Sequence, residues 1–167
     1  MKKIKLMAIV MLLMIAGLSS TLSATRPVSY VHKLMDLEGC RMSFSVTQLD
    51  TIYYIVVCAE SDRLRFIDEP KMKMQTASGE VFTLVGFPLN GYEDSFLIHT
   101  GYFSIPFHAN HSMAVFEATP QQFELMKVGI TRVKITMLPY VHDHTFKKDK
   151  IGQPLYEQYL EIKAHDF

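Results

Sequence analysis

The sequence predicts a mainly β fold, an antiparallel β-sandwich with one short crossover helix and a C-terminal helix. Three observations predict it. Apolar and polar residues alternate at period 2 through several runs between Cys40 and Ala118. Turn-forming residues separate those runs. A spacing of three to four recurs only in the last stretch, with one capped helix start before it at Thr119.

The first element is a hairpin. Cys40, Met42, Phe44 and Val46, then Tyr54, Val56 and Cys58, are apolar at even positions, while Arg41, Ser43, Ser45 and Thr47 take the odd ones. Its second strand is apolar on the other face too, through Tyr53, Ile55 and Val57, which suits a central strand covered on both sides. A turn around Gln48, Leu49 and Asp50 joins the pair. Short strands follow at Arg63 to Ile67, with Leu64 and Phe66 inward, and at Lys71 to Thr76, with Met72 and Met74 inward; Asp68, Glu69 and Pro70 turn between them. Ser78 and Gly79 lead into a strand from Val81 to Val85. Pro88, Asn90 and Gly91 make Phe87 to Asp94 read as a loop, with strands resuming at Phe96 to His99, Phe103 to Phe107 and Met113 to Ala118.

Thr119, Pro120, Gln121 and Gln122 form a capping box with proline at the first helical position, so a helix should start there with Phe123 and Met126 facing the core. Gly129 is placed to end it, and Ile130 to Met137 returns to strand with Val133, Ile135 and Met137 on one side. A helix this short between two strands is a crossover with a structural job. Leu155, Tyr156, Tyr159, Leu160 and Lys163 fit an amphipathic helix opened by Pro154, though the stretch also fits a strand.

If the first hairpin is centred on Leu49, Cys40 stands opposite Cys58 on the core side, where Cβ atoms lie about 5 Å apart. Two readings of this pair stand: a cross-strand disulfide, or two buried thiols packed as small apolar residues. A slip of one residue in register would put the two on opposite faces.

Residues 1–24 carry the order of a cleavable secretory signal: Lys2, Lys3 and Lys5, an apolar run from Leu6 to Leu18, then small residues up to Ser23 and Ala24, after either of which cleavage fits. That run falls short of the about 20 apolar residues that span a bilayer. No cysteine follows it to carry a lipid, so no membrane anchor is expected. Residues 25–167 then form a single domain without linker or internal repeat, holding 14 basic and 17 acidic residues. A mildly acidic chain lacks the footprint for nucleic acid. The expected location is the periplasm or the cell surface.

Ser61-Asp62-Arg63-Leu64, Ser78-Gly79-Glu80-Val81, Thr119-Pro120-Gln121-Gln122 with Gly129-Ile130, and Phe146-Lys147-Lys148-Asp149-Lys150-Ile151-Gly152 resemble segments of small exported proteins of unassigned function from Gram-negative gut bacteria. The likeness covers most of the chain after residue 24 and implies export and these domain bounds. That family has no established activity, so it implies no catalytic or ligand residue.

Chemistry is sought first among the histidines. His108 and His111 form an H-x-x-H pair, and His142 and His144 an H-x-H pair whose rings share a side on an extended chain. Four imidazoles suit a zinc ion, and three with an open position suit activated water. Asn110 beside His111 and Asp143 between the others read as loop residues. The nucleophile elbow, the zinc-protease motif, the P-loop and the dinucleotide fingerprint do not occur. Asp68 with Glu69 and Glu93 with Asp94 read as solvated turn charge, and Lys147, Lys148 and Lys150 as a solvated loop. Tyr92, Phe96, Tyr102, Phe103 and Phe107 serve either the core or a protein or glycan partner. The expected function is an exported, non-catalytic interaction or structural module without a cofactor. Two alternatives are a metal-dependent hydrolase on the four histidines and a subunit that adds a strand to an open sheet edge.

Overall fold

The computed structural model describes residues 27–34, 38–61, 64–99 and 104–164, with 32–34, 38–39, 90–99 and 104–110 described by backbone alone. The signal segment lies outside the described residues, as do Tyr102 and Phe103. Among the described residues no helix is long and apolar enough to cross a membrane.

The hairpin forms from β2 (Glu38–Leu49) and β3 (Ile52–Ser61). Cys40, Met42, Phe44 and Val46 are buried as expected. On β3 the faces are reversed: Ile55, Val57 and Ala59 fill the core, and Val56 and Cys58 lie half-buried on the other side. The reason is the turn. Leu49 pairs with Ile52, so Asp50 and Thr51 alone make the bend, with Asp50 at φ 56 in the left-handed region that Asp tolerates. Moving the centre from Leu49 to this dipeptide shifts every pairing by an odd number of residues, which flips one strand's faces. Cys58 therefore stands opposite Ser43, and Cys40 and Cys58 are free thiols.

β1 (Val28–Leu34) pairs with β2, and β3 pairs with β7 (Ser104–Ala118). Next come β6 (Val81–His99), β5 (Lys71–Thr76), β8 (Ile130–Ile135) and β10 (His142–Thr145). All eight strands run antiparallel in the order β1-β2-β3-β7-β6-β5-β8-β10. The expected sandwich is replaced by this one curled sheet, a half-barrel, beside a small pair of β4 (Arg65–Phe66) and β9 (Met137–Leu138). Curling lets one sheet enclose a core by itself. Gly86 serves it, because a Cβ there would lie 2.6 Å from the Val115 carbonyl oxygen and 2.7 Å from the Phe116 ring.

The segment expected as a loop, Phe87 to Asp94, is strand. β6 runs through it and absorbs Asn90 and Gly91 in a register shift between Leu89 and Tyr92, so the turn residues signalled a bulge. The strand expected at Arg63 to Ile67 is only Arg65–Phe66 among the described residues, but Leu64 before it and Phe66, Met72 and Met74 are buried as expected.

Helix α1 (Pro120–Met126) has the expected cap: the Gln122 amide donates to Thr119 Oγ1 at 3.3 Å, and the Thr119 amide donates to Gln122 Oε1 at 2.9 Å. Phe123 and Met126 are fully buried, and Gly129 follows at φ +92. Helix α2 (Gly152–Ala164) buries Leu155 and Tyr159 but leaves Leu160 facing solvent. Together the helices pack one aromatic group against the sheet: Phe123 stacks on Tyr159 at 4.5 Å, and Tyr53 meets Tyr159 edge-on at 4.9 Å. Gln158 Oε1 accepts the Val46 amide at 2.9 Å, a β2 group lying two residues past the last β1 pairing, Val28 with Phe44. The helix thus satisfies a strand donor where the neighbouring ladder stops.

One carboxylate docks α2. Asp149 accepts the amides of Ile151, Gly152 and Gln153 at 3.2, 2.8 and 2.8 Å, and that of Ile130 at 2.9 Å. Gly152 permits the approach, since a Cβ would sit 2.7 Å from the Ile130 nitrogen and 2.8 Å from the Met126 oxygen. Both obstacles are backbone, so Gly152→Ala should destabilise the protein by about 1–3 kcal/mol in urea unfolding, and Asp149→Ala by about 1–2 kcal/mol. A Gly152→Ala protein as stable as the parent would show that the packing against Ile130 does not matter.

Candidate functional site

The two ends of the sheet meet through side chains. Period 2 points Tyr30 inward from β1 and His142 and His144 to one side of β10, with Phe146 following. Tyr30 Oη lies 2.8 Å from His142 Nε2. The Tyr30 ring stacks on His144 at 4.7 Å and meets Phe146 edge-on at 4.9 Å. It also stacks on Phe44 at 5.7 Å. Tyr30, His142 and Phe146 are buried, and His144 is half-buried. Burial pushes the Tyr30 phenol far above its ordinary range, so it keeps its proton, and the His142 tautomer sets which of Oη and Nε2 is the donor.

On the outer side, Asp143 takes a bidentate contact from Arg132, at 2.8 Å from Nε and 2.7 Å from the terminal nitrogen. The hydrogen bond from Arg132 holds the Asp143 carboxyl below the usual carboxylate range. His142, Asp143 and His144 thus belong to a strand and not to the turn that Asp143 suggested. The inner pair builds a seam, and the outer residue braces β10 onto β8.

The other expected pair is elsewhere. His108 and His111 also lie in strand, in β7, opposite Ser95 and Tyr92 of β6, and the His108 side chain is outside the described ones. Three strands separate β7 from β10 in the sheet order. Among the described residues no group of three or more His, Cys, Asp or Glu is placed to hold a metal. His142 and His144, with ring centres 6.4 Å apart, meet a phenol and a phenyl ring. Of the aromatic candidates, Tyr92, Phe96 and Phe107 lie in β6 and β7, with side chains outside the described ones. Asp68, Glu69, Lys147, Lys148 and Lys150 are exposed.

Tyr30 is the residue that sequence reasoning missed. Val28 and Tyr30 alternate with Ser29 directly after the small-residue stretch, which is a strand signal, but nothing local links Tyr30 to a histidine 112 residues away.

Tyr30→Phe keeps the ring stacking and removes the O–H, so it should cost about 1–2 kcal/mol in denaturant unfolding. Burial also pushes the Cys40 thiol up to about 12 and raises that of half-buried Cys58. Iodoacetamide should therefore modify Cys58 first in the native protein and Cys40 only on unfolding. A raised acid group adds stability that is complete below its unfolded pKa and lost as pH climbs toward the folded value. The unfolding midpoint should stay level to about pH 8 and fall above it, less steeply in Cys40→Ala.

The chain matches no protein-family model, no curated protein and no solved structure.

Proposed function

We propose that the protein is an exported interaction module of the periplasm or cell surface with no catalytic role, and that it takes up an extended segment of a partner polypeptide at the seam between β1 and β10. The observation that carries this reading is the character of the seam: β1 and β10 end an otherwise continuous antiparallel ladder and are joined to each other by side chains. An edge strand offers its outer backbone groups to another chain. Val31 on β1, at 55 % exposure, and Tyr140 and Val141 before β10, at 60 % and 46 %, add apolar surface on either side. The buried phenol and imidazole are engaged in holding the edges together, which supports a structural use of these groups.

Two measurements test it. Intact mass of the protein recovered outside the cytoplasm should show the chain cut after Ser23 or Ala24; recovery only from the cytoplasm at full length ends the export reading. A photo-crosslinking residue placed at Val31 or Val141 in living cells should yield the same defined adduct from both positions, and none from exposed Glu124 on α1. Equal yields at all three positions, or none at the seam, would sink the interaction reading.

A further inference from the structure

The outer face of β6, β5, β8 and β10 carries a cluster of cations. Lys71 and Lys73 on β5 stand beside Val85 and Thr83 of β6, and Lys73 also pairs with Lys134 of β8. Gln75 pairs with Arg132, which continues to Thr145, while Lys134 continues to Asp143. All four cations are exposed. They form a two-dimensional array across neighbouring strands, which are spaced about 4.8 Å apart, with same-face residues on a strand about 7 Å apart.

Within this array Lys73 and Lys134 stand directly opposite one another, and like charges so placed on a sheet repel. Among the described side chains of β5, β8 and β10 the one carboxylate is Asp143, held by Arg132 and standing opposite Lys134, so four cations face one anion. Charge is also segregated over the molecule: the rest of residues 25–167 hold ten basic and sixteen acidic residues. Apolar groups rim the cations, with Val81 at 51 % and Val85 at 57 % exposure on one side and Val141 at 46 % on the other, next to Tyr140 at 60 %.

We infer that this face docks on an anionic lipid surface. The array spreads over two dimensions, which matches a plane of phosphates; a single acidic chain would be met by one row, and no row here holds more than two cations. Lysine ammoniums act as compact point charges, the kind of group that anionic headgroups attract. Exposed valines and a tyrosine at the rim suit the boundary between headgroups and acyl chains. This surface is separate from the inward cluster at the seam, shares Tyr140 and Val141 with the seam's outer side, and goes beyond the interaction reading given above.

Co-sedimentation of the full chain with vesicles of phosphatidylglycerol in phosphatidylcholine, against phosphatidylcholine alone, tests it. The apolar run at residues 6–18 is common to every variant, so variants are compared with the parent. The parent should prefer the anionic vesicles, and about 0.5 M salt should remove the preference. The triple change Lys71→Gln, Lys73→Gln, Lys134→Gln should weaken binding to anionic vesicles by about a hundredfold, about fivefold for each lysine, without moving the unfolding midpoint downward. Asp143→Asn frees Arg132 and should tighten that binding about fivefold, a gain that a misfolded variant would not produce. Equal binding to both vesicle types, or an unaffected triple variant, overturns the proposal. Tight binding to soluble polyglutamate with none to vesicles would overturn it in favour of an acidic polypeptide.

Discussion

The register of β2 against β3 is the constraint on which the rest of the structure rests. The two-residue bend at Asp50 and Thr51 pairs Leu49 with Ile52 and sends Ile55, Val57 and Ala59 inward with Phe44 and Val46. The same parity passes from β3 to β7, where Ala114, Phe116 and Ala118 join the core. It continues through β6 and β5 to β8, where Leu84, Met72, Met74, Val133 and Ile135 complete the inner surface. A one-residue slip at the first turn would turn these residues to solvent on one side of the slip.

A curled sheet that encloses its own core has two openings to manage, the seam and an end. At the seam, Tyr30, His142, His144 and Phe146 bring the first and last strands together across 112 residues of sequence. Toward the end, α1 and α2 pack Phe123 and Tyr159 against Tyr53, and Gln158 takes up a β2 amide beyond the last β1 pairing. Asp149 links these devices, since one carboxylate caps α2 and also holds the first amide of β8. Polar groups that close a fold in this way are buried with partners, which is the condition under which burying them is tolerable.

The two surfaces with functional promise differ in kind. The seam presents backbone edges and apolar side chains, features that select an extended chain through main-chain hydrogen bonds. The outer face of β5 and β8 presents unbalanced charge, which acts over a Debye length and selects by sign. A single curled sheet supplies both, because its concave side is spent on the core and its convex side carries the exposed charge.

Local chemistry alone determined several elements. The Thr119–Gln122 capping box, the inward methionines of β5 and the alternation of Cys40 to Val46 are each decided by neighbours within a few residues. The face of β3 was not legible, because Tyr53 to Cys58 is apolar on both sides and only the turn geometry selects a parity. Nor was the path through Phe87 to Asp94, where Pro, Asn and Gly describe a loop and a bulge equally well until β7 pairs alongside. Of the four candidate histidines, the spacing of His142 and His144 determined that they share a side; only the tertiary structure decided that they meet Tyr30, while His108 and His111 lie in β7, with three strands between. The physical reason is range. Capping and strand alternation depend on residues a few positions apart, whereas sheet order, curl and the closing of a seam depend on which distant strands find each other.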